Sequence, residues 1–447
     1  MELQNKNNSV TPKYFLYAAI LILCIGLLFG LLGTFQYFIP GLAKKYCSFE
    51  KTRPLHVSSM LFWILLAASG GVLSYLQEYK KQAIRYPILL KVQWILFVST
   101  IIIILGTYIL GIYGGREYWE FNPILALPLI FAWILFIVNF LGSIGKLKNQ
   151  PVYVWMWLTG LVFFLFTFLE SYLWVFPYFR NNIINDMTIQ WKSYGSMVGA
   201  WNMLIYGCGI YLLEKINGQK NYSKSTTAFV LYFTSLINLM FNWGHHIYTL
   251  PTYTYIKHIS YIISMSELFI FGHIIYQWKS SVSAAQKLFH NFSYKFLIAA
   301  DIWVFLSLSL AILMSIPAIN VYTHGTHITV AHSMGTTIGI NSFILLAIIL
   351  DILYLEAAIT PKRTKRMLTA FWIVNVSLLF FWSSLIGLGI IKSNWQMQHS
   401  KPPFSELMAI SKPLFISLSI TGTFLLAGFF AIIFPLLQSQ IKNVKTH

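Results

Sequence analysis

Val321-Tyr322-Thr323-His324-Gly325-Thr326-His327-Ile328-Thr329-Val330-Ala331-His332-Ser333-Met334-Gly335 runs straight into a long apolar stretch. The segment therefore opens a transmembrane helix. At 3.6 residues per turn, His332 and Met334 stand about 200° apart, on opposite faces. Imidazole and thioether both ligate iron, so one such helix can stand between two hemes. Further candidate ligands lie far away in sequence: His56, and the adjacent pair His245 and His246. Ligands of this kind in so apolar a chain point to a membrane redox site, not to a transporter pore.

Composition sets the class. Of 447 residues, 57% are hydrophobic and only 10% are charged, with a mean hydropathy of +0.66. No water-soluble globule needs that much apolar surface, and runs of about 20 apolar residues recur along the whole chain. The fold class expected is all-α: a polytopic membrane protein of about 12 transmembrane helices. The spans fall near residues 14–38, 55–76, 87–112, 122–144, 152–177, 193–214, 226–250, 256–277, 293–316, 328–355, 368–391 and 412–437. They form one transmembrane domain over residues 1–447, with short tails at 1–13 and 438–447. The first span lacks a small-residue cleavage site, so no removed signal peptide is expected. Cys24, Cys47 and Cys208 form no CxxC or CxxCH motif, which leaves no zinc ribbon and no covalently attached heme.

The net charge of +18 is mostly topology signal. The termini and even-numbered loops carry more Lys and Arg than the odd-numbered loops, among them Lys80, Lys81, Arg85, Lys362, Arg363, Lys365 and Arg366. The positive-inside rule then puts both termini in the cytoplasm. An inner (plasma) membrane location with lipid as the surround is expected, and with no nucleic-acid motif in the sequence nucleic acid is not an expected partner. With odd spans running outward, His56 starts span 2, the histidine pair ends span 7, and His332 with Met334 starts span 10. All the candidate ligands thus fall at the outer face, although the orientation came from Lys and Arg alone.

Each signal also has a bland reading. A single intramembrane histidine often serves helix packing, and a single methionine usually fills a gap in a core. His324 and His327 read as interfacial polar residues, and His258, His273, His290, His399 and His447 take no role. The pair in Asn242-Trp243-Gly244-His245-His246 is different, because two imidazoles in a membrane are costly unless something binds them. Glu267, in mid-span 8, is a functional candidate for the same reason. Glu170 and Asp301 read as polar anchors or members of a proton path.

Four segments carry a family resemblance: Arg53-Pro54-Leu55-His56 followed by Phe62-Trp63-Ile64; Gly115-Arg116-Glu117-Tyr118-Trp119-Glu120; Gly244-His245-His246; and Tyr322-Thr323-His324-Gly325-Thr326 with Ala331-His332. The chain resembles the catalytic subunit of the heme–copper oxidase superfamily, and within it the nitric oxide reductase and cbb-type oxidase branch. The resemblance implies two b-type hemes and a non-heme metal, iron or copper. His332 would be the proximal ligand of the high-spin heme, His56 a ligand of the low-spin heme, and His245 and His246 ligands of the non-heme metal. Glu117 and Glu120 would lie near the heme propionates and a calcium ion; as residues alone they read equally well as solvated loop charges. The activity implied is reduction of nitric oxide, with electrons from a cytochrome c-type subunit or quinol. A cbb-type oxidase reducing O₂, a divergent nitric oxide dismutase-like enzyme and a non-catalytic heme relay or gas sensor are the alternatives.

The chain departs from this family at two places. The family's helix-10 motif is His-x-His, and Met334 stands where the second histidine belongs. A His56–Met334 pair on the low-spin heme is then expected, which raises its potential. The family also has a third metal-binding histidine in span 6, but no histidine occurs between residues 57 and 244. That position falls near Tyr194, and the reductase glutamates fall near Val198 and Asn202. Tyr194 and Glu267 are the candidates for the missing ligand. Glu267, which aligns with a glutamate beside the reductase active site, is also the expected proton donor.

Overall fold

Both faces of the fourth span are apolar, and this decides the architecture. Helix α4 (Ala126–Ile144) buries Leu129, Trp133, Phe136 and Phe140 and exposes Leu127, Phe131, Ile134, Val138 and Leu141. A soluble helix would carry polar groups on its outer face; an apolar outer face requires lipid. The computed structural model describes residues 10–218, 222–269, 272, 292–353, 361–398 and 400–445. The expected roles of residues 1–9, most of 270–277, His273, His290, His399 and His447 lie outside the described residues.

Among the described residues twelve helices fall at the expected spans, the eighth only as far as residue 269. Before α4 come α1 (Lys13–Gln36), α2 (Phe49–Lys80) and α3 (Pro87–Leu110). After it come α5 (Val152–Glu170), α6 (Ile183–Asn217), α7 (Thr226–Phe241) and α8 (254–269). The remainder are α9 (Phe292–Ser315), α10 (His327–Leu353), α11 (Pro361–Met397) and α12 (Phe404–Lys445). Ten of these, among the described residues, are long and apolar enough to cross a membrane. No named strand occurs among the described residues.

Several helices run past the spans read from hydropathy. α2 begins at Phe49, not near 55, and α6 begins at Ile183, not near 193. Hydropathy marks the apolar slab, whereas backbone hydrogen bonding continues into polar turns beyond it. α7 is shorter than expected for the opposite reason. Its continuation tightens into a 3₁₀ segment, Asn242–Ile247, before Pro251 ends the run.

The chain divides into two compact units: Met1–Gly26 with Pro54–Ser235, and Leu27–Arg53 with Leu236–His447. In the first, Trp63, Trp133 and Trp157 are fully buried. The Trp133 indole donates to the Leu161 carbonyl at 2.9 Å, which satisfies its one polar atom and ties α4 to α5. α5 and α6 approach closely at Gly160, where a side chain would meet the Ala200 carbonyl at 2.7 Å. Small residues at such crossings let backbones touch where lipid gives no hydrophobic drive for helix association. Glu170 pairs with Lys192, which makes it an anchor between α5 and α6. In the second unit, Ala331, Leu385, Leu388, Phe415 and Leu418 form the core where α10, α11 and α12 meet.

Candidate metal and heme-ligand site

In the second unit the site starts from the 3₁₀ segment that follows α7. Its tight winding sets the His245 and His246 rings side by side, with centroids 4.2 Å apart and planes 40° apart. Gly244 makes room for α8: a side chain there would lie 2.8 Å from Ser260 Cβ. The His245 Nδ1 lies 3.0 Å from Asn242 Oδ1. An amide oxygen only accepts, so Nδ1 carries the proton and Nε2 is left as the ligating nitrogen. The Asn242 amide nitrogen donates in turn to Glu267 Oε1 at 2.9 Å, and the Ser264 hydroxyl donates to Asn242 Oδ1. Asn320 donates to the His245 carbonyl at 3.3 Å and to the Met314 carbonyl at 2.9 Å, which fixes the backbone of the pair.

His332 belongs to the same unit and lies within electrostatic reach of both His245 and His246. Its ring is largely buried and faces the Ser307 backbone of α9. The thioether of Met334 packs against the Ala331–Leu385–Phe415 core. Ala331 and Met334 thus share the packed face of α10, and helical geometry turns His332 away from it. Immediately after Met334 the helix widens into a π-helix, Gly335–Ser342. π segments of this kind recur at functional sites, and nothing in the hydropathy of the span announces this one. His324 also comes within electrostatic reach of the pair, although its position before the span suggested only an interfacial role. Burial holds the His324 imidazole below the usual histidine range.

The first unit holds His56 and the Gly115–Glu120 motif. His56 lies in the second turn of α2, and its Nδ1 donates to the Gly26 carbonyl at 2.8 Å. This leaves Nε2, on a part-exposed ring, for an axial bond. Gly115-Arg116-Glu117-Tyr118-Trp119-Glu120 folds as a tight hairpin. The amides of Gly114 and Gly115 both donate to the Glu120 carbonyl at 3.0 Å, and Arg116 and Trp119 exchange backbone bonds of 3.1 and 2.9 Å. Tyr118 takes the left-handed region at φ 71° to close the turn. The Arg116 guanidinium pairs with Asp186 at 2.5 Å and lies over the Trp174 ring at 4.8 Å.

Tyr194 stands edge-on to Tyr118, with centroids 5.3 Å apart, and within electrostatic reach of Glu117, Glu120 and Arg116. The expected calcium candidates and the span-6 tyrosine therefore come together at the hairpin. Ser58 donates to the Tyr118 carbonyl at 3.3 Å and reaches the Tyr108 hydroxyl at 3.1 Å, so α2 and α3 hold the hairpin from below.

His56 and His245 each have Nδ1 committed to an acceptor and Nε2 directed elsewhere, as an axial or metal-binding imidazole requires. Among the described residues no three His, Cys, Asp or Glu side chains converge as a metal-ligand group. His245 and His246 fit two ligand positions, and Glu267 stands one hydrogen-bonded residue behind them.

The family described as Cytochrome C and Quinol oxidase polypeptide I matches residues 11–425. This chain belongs to that family. It is similar to a nitric oxide reductase subunit of Stutzerimonas stutzeri, at 22% identity over 87% of this chain and 85% of the relative. It is comparably similar to cytochrome c oxidase subunit 1 of Rhodobacter capsulatus, at 23% identity over 94% and 84%. A third relative is the Cbb3-type cytochrome c oxidase subunit CcoN1 of Stutzerimonas stutzeri, at 22% identity over 86% and 84%. The fold matches a cryo-EM structure of a heme-copper terminal oxidase dimer with a TM-score of 0.70 and 16% identity, over 97% of this chain and 84% of that one. The family comprises membrane oxidoreductases that bind hemes and a non-heme metal centre. They use cytochrome c or quinol as donor, act on gas substrates and lie in the bacterial plasma membrane.

Proposed function

We propose that this chain is the catalytic subunit of a respiratory enzyme that reduces nitric oxide at a high-spin heme paired with a non-heme metal. The observation that carries this reading is the side-by-side pairing of the His245 and His246 rings, with Glu267 tied to His245 through Asn242 and His332 in the same unit within electrostatic reach of both. His332 is the proposed proximal ligand of the high-spin heme. His245 and His246 are the proposed ligands of the metal. His56 is a proposed axial ligand of the low-spin heme, and Met334 offers a thioether of the kind that ligates heme iron. When bound, the hemes and metal would supply electrons and stabilise charge on the substrate's oxygen atoms.

The chain's own residues do the rest. Asn242 and Asn320 hold the histidine pair in place. Glu267 is the proposed proton donor, held beside the site through Asn242 at a depth where water is scarce. Glu117 and Glu120, presented by the hairpin beside Tyr194, are the proposed carboxylates of a calcium and propionate site. Electrons arrive from a cytochrome c-type subunit or from quinol at the outer face, with both termini in the cytoplasm.

Reduction of O₂ is the second reading, favoured by oxidase relatives whose identities match that of the nitric oxide reductase relative. Heme and metal analysis of the purified protein, with NO and O₂ consumption assayed side by side, separates the two. Two hemes with one extra iron and NO uptake support the proposal. Two hemes with copper and O₂ uptake support the oxidase. Two hemes and no further metal leave a relay or sensor.

A further inference from the structure

The Asn242 amide sits at the centre of a small polar network in the second unit. It receives the His245 Nδ1–H at 3.0 Å and the Ser264 hydroxyl on its oxygen, and its nitrogen donates to Glu267 at 2.9 Å. The Asn242 carbonyl is also engaged, by the Ser260 hydroxyl at 3.3 Å. Three of the four hydrogen-bonding positions of the amide are therefore used, and each partner sets its orientation. Glu267 Oε1 accepts from the amide nitrogen, its proton then residing on the other carboxyl oxygen, and the amide oxygen is left to face His245. If the amide were reversed, its NH₂ would meet Nδ1, the imidazole proton would move to Nε2, and that nitrogen could no longer bind a metal.

We propose that Asn242 is a positioning residue for the metal: it fixes His245 as the Nδ1–H tautomer with Nε2 free to ligate, and it holds Glu267 one residue behind that ligand. The inference rests on the reading of His245 and His246 as metal ligands. α8 supplies the reference points, since Ser264 and Glu267 lie three residues apart and so share a face of that helix. Glu267 fixes the orientation of the amide, and the amide fixes the tautomer of the histidine. The carboxylate is thereby assigned to the surroundings of the ligand and not to the metal itself. That agrees with the absence, among the described residues, of a third protein ligand beside the pair.

The test uses the full-length purified protein, stripped of non-heme metal by a chelator and titrated with ferrous iron. Heme absorbance serves as the check on folding. Asn242→Leu keeps the volume and removes the acceptor; ferrous iron affinity is expected to fall 10- to 100-fold with heme spectra retained. Asn242→Asp keeps an oxygen toward His245 Nδ1–H, and its affinity is expected to stay within a few-fold of wild type. Wild-type affinity in Asn242→Leu would overturn the proposal. So would an equal loss in Asn242→Asp, because the acceptor would then not be what matters. His245→Ala separates this from the underlying reading: if wild-type protein and His245→Ala take up iron alike, the histidine pair is not the metal site at all.

Discussion

Gly115→Ala gives a sharp test of the hairpin that presents Glu117 and Glu120. A methyl group at residue 115 would lie 1.9 Å from the Trp119 carbonyl oxygen and 2.4 Å from that of Phe121. Both contacts are with backbone, so no side chain can swing away, and ordinary contact distance requires the two arms to part by roughly 1–1.5 Å. Backbone bonds that now measure 2.9–3.1 Å between Arg116 and Trp119, and 3.0 Å to the Glu120 carbonyl, would then exceed hydrogen-bonding distance. Loss of these four bonds, at about 0.5–1.5 kcal/mol each, amounts to about 2–6 kcal/mol. Gly106→Ala is the control. It lies within α3 with nothing within 4 Å of the added carbon, so it should be neutral or stabilise by up to about 1 kcal/mol. Unfolding titrations of the purified protein in mixed micelles would measure both variants. Equal stability of the two would refute the account of the hairpin as a closed, glycine-dependent turn.

Three further outcomes are expected. Glu267→Gln should lower gas turnover by about 10²-fold or more while leaving heme spectra unchanged, as expected for loss of a proton donor; unaltered turnover removes Glu267 from the chemistry. Oxidised protein should show a near-infrared charge-transfer band from thioether to ferric iron, and Met334→His should abolish it and lower the low-spin heme potential. A wild-type spectrum without that band would exclude Met334 as a ligand. Calcium bound per chain should fall in a Glu117→Gln, Glu120→Gln double variant, read by metal analysis after dialysis. Calcium retained at the wild-type level would assign those carboxylates to the hairpin alone.

Ten of the helices were legible because their apolar runs are long enough to span a bilayer, whatever packs beside them. Their ends were not, because hydropathy reports the slab and not the hydrogen-bonded helix; the polar turn Phe49-Glu50-Lys51-Thr52-Arg53 belongs to α2 all the same. His245, His246 and His332 stood out because imidazoles are expensive in lipid. Asn242 did not, since an asparagine three residues before a histidine is commonplace. Only the packing of α8 brings Ser264 and Glu267 to it. The π-helix after Met334 was hidden for another reason: a change in hydrogen-bond register leaves the apolar pattern of the span intact. The hairpin at Gly115 had one sequence signal, a glycine before an Arg-Glu-Tyr-Trp-Glu run, but a solvated loop would have carried the same residues.

Heme and non-heme metal counted per chain in wild type, His332→Ala and His245→Ala address the central claim most directly. The account predicts two hemes and one further metal ion in wild type, one heme in His332→Ala, and both hemes without the metal in His245→Ala. Two hemes in His332→Ala, or an undiminished metal content in His245→Ala, would contradict it.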